Sequence, residues 1–132
     1  MKKLTLTISA VLLLAATSLL AQDNIQYPRF PGCSDENTIA AADCAEMKMM
    51  QFIFSNLRHP DEAKKAGVTG EIEAKFTVTL AGEIKNPSIT KGLGHGCDEE
   101  VLRIIGMMPK WAPGKEAGAP KEMEAYIYVT FK

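Results

Sequence analysis

The residues best suited to chemistry lie close together near position 95. His95, Cys97, Asp98 and Glu99 fall within a few positions of one another, on a glycine-rich loop that begins at Gly92. A cysteine just before a helix would have its pKa lowered by the positive end of the helix dipole. A thiol nucleophile beside a histidine is therefore one interpretation, and a metal site is another.

The spacing of these residues matches no established catalytic or metal-binding motif. The chain has no C-x-x-C, no H-E-x-x-H and no zinc-ligand spacing. The alternating glycines at 92, 94 and 96 precede no Lys-Ser/Thr pair and do not form a dinucleotide fingerprint. Glu99 and Glu100 suit the first turn of a helix better than acid–base chemistry. We expect no catalytic residue, no metal and no cofactor; a thiol enzyme using Cys97 is the less favoured alternative.

The strongest structural signal is an unbroken alternation at residues 71–80. Every even position is apolar and every odd position is polar or charged, which is typical of a strand with one buried and one wet face. A one-residue slip would place Phe76 in water, so the register is fixed. Gly82 can adopt the positive φ of a tight reversal, which predicts a hairpin into residues 84–90. The parity of the apolar positions changes near Pro87, which indicates a bulge on an edge strand.

Two main helices and a short helical turn are predicted around this hairpin. Between residues 43 and 57 apolar residues recur at helical spacing, and we expect five of them to face the core: Met47, Met50, Ile53, Phe54 and Leu57. Residues 60–67 form the short turn, opened by Pro60 and closed by Gly67. The second main helix starts at Asp98 and stops at Pro109.

The last predicted strand, residues 123–132, alternates as well. Its even positions include Tyr126 and Tyr128, which fall on the wet face. In an antiparallel sheet it returns beside residues 71–80 and leaves residues 83–91 at the opposite edge. The predicted fold is therefore α+β, a three-stranded antiparallel sheet in one layer and helices in the other. An unprotected edge strand with exposed tyrosines is an acceptor for a partner's extended peptide.

The composition describes one ordinary globular domain. The chain has 132 residues, 46% of them apolar and 23% charged, and a formal net charge of −1. There is no basic patch in the sequence of the kind that binds nucleic acid, so nucleic-acid partners are not expected.

The amino-terminal residues indicate export. Lys2 and Lys3 precede an apolar run over residues 4–21, the layout of a secretory signal peptide; an uncleaved membrane anchor is the alternative. We expect residues 1–21 to be the signal, residues 22–45 an extended leader, residues 46–132 the domain, and the periplasm its location. In an exported chain Cys33 and Cys44, eleven residues apart, can form a disulfide, although Cys97 could pair with either of them.

Several short motifs occur in the order typical of TonB C-terminal domains. They are Pro28-Arg29-Phe30-Pro31-Gly32, Asn56-Leu57-Arg58-His59-Pro60, Gly67-Val68-Thr69-Gly70, Gly96-Cys97-Asp98-Glu99-Glu100 and Met108-Pro109-Lys110-Trp111-Ala112-Pro113-Gly114-Lys115. Over about residues 27–132 the chain resembles this family, in the form common in energy transducers of Bacteroidetes-like bacteria. Structural roles at turns, helix ends and packing positions are expected for His59, Pro60, Gly67, Gly70, Gly82, Pro109, Trp111, Pro113 and Gly114.

The resemblance implies a mechanical function rather than a catalytic one. In this family the last strand pairs with the TonB box of an outer-membrane receptor and passes on force from a proton-motive complex of the ExbB/ExbD type. The implied partner-binding residues are Ala125, Tyr126, Ile127, Tyr128, Val129, Thr130 and Phe131. A full transducer also needs an anchor and a long spacer, so we expect a free periplasmic version. A structural adaptor that forms a homodimer through the same edge is the alternative.

Overall fold

The computed structural model describes residues 24–132; the predicted signal segment, residues 1–21, lies outside the described residues. The elements in chain order are β1 (Ile25–Gln26), α1 (Ile39–Asn56), α2 (Asp61–Ala66), β2 (Gly70–Val78), β3 (Ile84–Lys91), α3 (Cys97–Met107), β4 (Gly114–Glu116), β5 (Ala119–Lys121) and β6 (Met123–Phe131). Within the described part of the chain, none of the helices has both the length and the apolar character needed to cross a bilayer.

The main sheet confirms the predicted three-stranded antiparallel arrangement. Its order is β3-β2-β6, so β2 is the central strand. The pairing of β2 with β6 is continuous from Gly70 opposite Phe131 to Val78 opposite Met123. The apolar even residues of β2, from position 72 to position 78, are at most 1% exposed, which confirms the buried face that the alternation predicts. Beyond the end of the strand the pattern fails at two positions, since Thr79 is 7% exposed and Leu80 is 59% exposed.

Strand β3 carries the predicted bulge. Lys75 lies opposite Ser88, whereas Thr77 lies opposite Lys85, so β3 contains one extra residue at this point. Asn86 has a φ of +51° there, and Pro87 follows it. The bulge changes which face the following residues occupy, and this accounts for the parity switch in the sequence.

The second layer consists of helices on the apolar face of the main sheet. Val101, Ile104 and Ile105 of α3 and Ala63 of α2 are buried in one core with the even residues of β2. The end of α1 is joined to α3 by Arg103, which donates to Glu100 Oε1 at 2.6 Å and to Asn56 O at 2.8 Å. The hydrogen bond from Arg103 lowers the pKa of Glu100.

Helix α1 differs from its prediction in two ways. It begins at Ile39, after the N-cap Thr38, so residues 39–45 of the predicted extended leader are helical. Its buried residues are Ala41, Ala45 and Ile53, while Met47, Met50 and Phe54 are 63%, 46% and 66% exposed. The predicted core face was therefore wrong except at Ile53 and the half-buried Leu57. The reason is that apolar residues surround most of this helix, so their spacing does not single out one face.

A second, smaller sheet was not predicted. Strand β4 lies between β1 and β5, and an isolated bridge joins Arg29 to Ala112. The leader is thus fixed to the segment that follows α3. Beside it, Trp111 packs edge-on against Phe30 and Phe76, with ring centroids 5.9 Å and 5.1 Å away.

Candidate functional site

The outer edge of β6 has no strand beside it. Among residues 24–132, β6 pairs with β2 alone, while the leader strand β1 pairs with β4 instead. The leader therefore does not cover the β6 edge, which the sequence predicted to accept a partner's extended peptide.

The direction of the backbone groups on β6 follows from hydrogen bonds at β2. Thr79 N donates to Glu83 O at 2.9 Å, and Thr90 Oγ1 donates to Glu73 O at 3.1 Å, so the odd positions of β2 point toward β3. Because directions alternate along an antiparallel strand, the even positions of β2 point toward β6 and bond their opposite residues there. The even positions of β6 then direct their N–H and C=O groups outward: Glu124, Tyr126, Tyr128 and Thr130.

The seven predicted partner-binding residues thus divide into two sets. Ile127, Val129 and Phe131 are 1–3% exposed and, with Ala125, hold β6 onto the sheet. Tyr126, Tyr128 and Thr130 direct their backbone groups to the open edge, and the two tyrosine side chains are 49% and 56% exposed. The second set is the one that can meet an added strand.

A groove of about 720 Å³ runs along this edge. Its lining comes from β6, from α1 and from residues 25–30 of the leader. The α1 residues that line it are Ala42, Ala45, Glu46, Met49, Met50 and Ile53. The sequence did not lead us to predict that α1 forms this wall. The available signal was that residues 39–54 carry too many apolar side chains for all of them to be buried on one face of the helix.

Acidic side chains outnumber basic ones around the groove. Its lining includes Glu46, Glu71 and Glu124 but only one base, Arg29. The Arg29 guanidinium is already engaged, since it donates to Glu36 O at 2.6 Å and to Asn37 Oδ1 at 3.3 Å. An acidic peptide would therefore find few free basic side chains in this groove.

Most of the residues expected to be structural lie at turns and at the ends of the elements, and Trp111 alone of them lines the groove. His59 packs against Phe131, with ring centroids 5.7 Å apart, and Trp111 lies in the core. Pro60 and Gly67 flank α2, and Pro109 follows α3. Gly70 opens β2, Gly82 forms the hairpin, Gly114 opens β4 against the Met123 side chain, and Pro113 is half-buried just before it.

The cysteine of the loop at residues 92–99 lies in the hydrophobic core. Cys97 is completely buried, and its burial, followed by the nearby Asp98, Glu99 and Glu62 carboxylates, raises the pKa of the thiol. The expectation of a lowered pKa was wrong in direction: burial disfavours the thiolate, and so do these neighbouring carboxylates. Asp98 is occupied in accepting the Leu93 N–H at 2.8 Å.

The remaining cysteines form a disulfide. Cys33 and Cys44 are bonded, with Cα atoms 6.1 Å apart, so the alternative pairings with Cys97 are wrong. His95 Nδ1 lies 3.7 Å from a single carboxylate, that of Glu62. Within the part of the chain that the structure describes, no three His, Cys, Asp or Glu side chains are grouped closely enough to hold a metal ion.

Comparison with known proteins gives one family and one solved structure. Residues 55–132 match the family model described as Gram-negative bacterial TonB protein C-terminal. The chain is also similar to the NMR solution structure of the Helicobacter pylori TonB C-terminal domain, residues 194–285, with 22% identity and a TM-score of 0.45. That similarity covers 66% of this chain and 91% of the other. No curated protein matches the chain.

Proposed function

The chain belongs to the family of Gram-negative bacterial TonB C-terminal domains, and on that basis we propose that it binds segments of outer-membrane receptors by β-strand addition. Membership places the domain in the Gram-negative envelope, in the general setting of TonB-like energy transduction. The proposal is that the exported protein works in the periplasm, with residues 1–21 as its signal. TonB-dependent receptors are its partners; an ExbB/ExbD-type complex is a partner only in the alternative in which residues 1–21 stay uncleaved as a membrane anchor.

The open edge of β6 is the single observation that carries this proposal. Tyr126 and Tyr128 direct unpaired backbone groups away from the sheet, and such groups are the usual template for an added strand. Main-chain hydrogen bonds would provide affinity without catalytic chemistry, which agrees with the buried, unreactive environment of Cys97.

Proline substitution at Tyr128 tests the proposal. Proline removes the outward amide and is tolerated on an edge strand, so Tyr128→Pro should weaken binding at least tenfold. Tyr128→Ala, which keeps the amide, is the matched control and should retain most of the affinity. Ile127→Pro removes an amide that bonds β2 and disturbs a buried position, so it should destabilise the whole domain instead.

Binding is measured by calorimetry with synthetic peptides covering the periplasmic amino-terminal segments of TonB-dependent receptors from the same genome. Circular dichroism and urea unfolding establish that each variant is folded. If no peptide binds, or if folded Tyr128→Pro binds like the unsubstituted protein, the proposal is wrong.

The same edge also suits a second copy of this chain. In that case β6 pairs with β6 of another molecule, and sedimentation at high concentration shows a dimer that Tyr128→Pro converts to a monomer. A monomer at all concentrations excludes this second function.

A further inference from the structure

We infer that α1 is the second wall of the strand-addition site and that it selects segments with apolar side chains at every other position. This inference rests on the proposed function and specifies the class of peptide that the site accepts. The groove-lining residues of α1 lie outside residues 55–132, the segment that matches the family model, so this wall belongs to the chain's own amino-terminal half.

The alternation of side chains along a strand leads to this conclusion. In a sheet, side chains opposite one another on neighbouring strands point to the same face. Residues added opposite Ala125 and Ile127 therefore point to the apolar face of the sheet. Both residues line the groove together with α1, so these side chains of the added segment meet the helix.

The surface that α1 offers them is apolar and adaptable. Ala45 and Ile53 are 4% and 5% exposed and form its base, while Met49 is half-buried and Met50 is 46% exposed. Methionine side chains are flexible and polarizable, so they can fit apolar groups of different shapes. An apolar side chain placed here would cover the exposed part of Met50.

The other side chains of the added segment meet polar surroundings. They lie on the face of Tyr126, Tyr128 and Thr130, close to Glu71 and Glu124. With Glu46 the groove lining has three acids and one base, Arg29, which is already engaged. Of these acids, Glu124 lies 3.9 Å from the Lys75 ammonium beside the groove, so two acids remain without a basic partner there. The occupant is thus an extended receptor segment of alternating apolar and polar residues that carries no excess of acidic side chains.

A pair of methionine substitutions separates the groove wall from the rest of the helix. Met50 lines the groove, whereas Met47, one turn earlier on α1, is exposed outside it. Glutamine has nearly the shape of methionine and no charge, so Met50→Gln and Met47→Gln differ mainly in position. The probe is the blocked peptide Lys-Val-Thr-Val-Thr-Val-Thr-Lys, and the comparison probe has its three valines replaced by serine.

We expect Met50→Gln to weaken binding of the valine probe at least fivefold and Met47→Gln to change it less than twofold. The serine probe should bind the unsubstituted protein at least tenfold more weakly than the valine probe, and Met50→Gln should not weaken it further. Equal binding of the valine probe by both variants, or equal binding of the two probes, overturns the inference.

Tyr128→Pro distinguishes failure of this inference from failure of the proposed function. If Tyr128→Pro abolishes binding and Met50→Gln leaves it unchanged, only the proposed role of α1 is wrong, and the proposed function stands. If the unsubstituted protein binds neither probe and none of the receptor peptides, both the inference and the proposed function are wrong. If Met50→Gln instead dissociates a dimer in sedimentation and leaves probe binding unchanged, the wall serves a second copy of the chain and the inference is also wrong.

Discussion

Cys97 is the first residue of α3, and its thiol lies in the core with none of its surface exposed. A histidine and two acids next to a cysteine suggest reactivity in the sequence, but reactivity depends on access and on the thiolate fraction. Here Asp98 holds the loop through the Leu93 amide, and burial raises the thiol pKa. The residue types therefore identified candidate reactive residues. Whether the thiol is accessible depends on packing, which short sequence spacings do not encode.

Alkylation of Cys97 should be slow in the folded protein. Because the thiol is buried and its pKa is raised, iodoacetamide at pH 8 should leave the native protein unlabelled over hours, as mass spectrometry can show. In urea without reductant one thiol per chain should react, since Cys33 and Cys44 are bonded to each other. Labelling of the native protein at the rate of an exposed thiol would contradict this and would restore the thiol-enzyme interpretation.

Among the elements, the strands were predictable and the orientation of α1 was not. In β2 and β6 a period of two leaves one possible buried face, so the sheet order, the hairpin and the bulge at Pro87 all followed from the sequence. In α1 several faces are apolar, and the choice among them depends on tertiary packing. The groove wall formed by Met49 and Met50 could not be predicted, because nothing local distinguishes these residues from the exposed Met47.

The hairpin is tied to the segment after α3 at Gly82. Trp111 N donates to Gly82 O at 2.9 Å, and a Cβ at Gly82 would clash with the Trp111 carbonyl oxygen, at a φ of +81°. Gly82→Ala should therefore destabilise the domain by roughly 2–4 kcal/mol in urea unfolding, from the positive φ and the backbone clash.

Gly106→Ala is the matched control for this substitution. Gly106 lies in α3, where a Cβ would have no other atom within 4 Å and the φ is not positive. Alanine there should stabilise the domain by about 0.5–1 kcal/mol through helix propensity. If both substitutions shift the unfolding midpoint in the same direction, the close approach of Trp111 to Gly82 is not what limits that position.

At the scale of the whole molecule, the leader joins parts that are distant in sequence. It pairs with β4 through β1, meets Ala112 through Arg29 and is bonded to α1 through Cys33 and Cys44. The sequence predicted an extended leader attached to the domain, but the small sheet pairs Ile25 with Glu116, a separation in sequence that no local pattern specifies. The leader thereby fixes the start of the helix that faces the β6 edge.

Removing the disulfide should loosen this arrangement. For a loop of eleven residues the chain-entropy estimate gives a loss of about 3 kcal/mol, so Cys33→Ser/Cys44→Ser should unfold at a lower urea concentration. Dithiothreitol should lower the midpoint of the unsubstituted protein in the same way and leave the double variant unaffected. An unchanged midpoint in both experiments would mean that the disulfide does not stabilise the domain.

The antiparallel ladder of β2 and β6 also determines how the domain responds to tension. Its nine residue pairs lie side by side without a register shift, and their hydrogen bonds run perpendicular to the strands. A pull along the axis of β6 loads all of these bonds in shear at once, whereas a pull across the axis would peel them apart one after another. If a receptor segment binds along the same axis, as proposed, it would transmit traction in the direction in which the sheet is mechanically strongest.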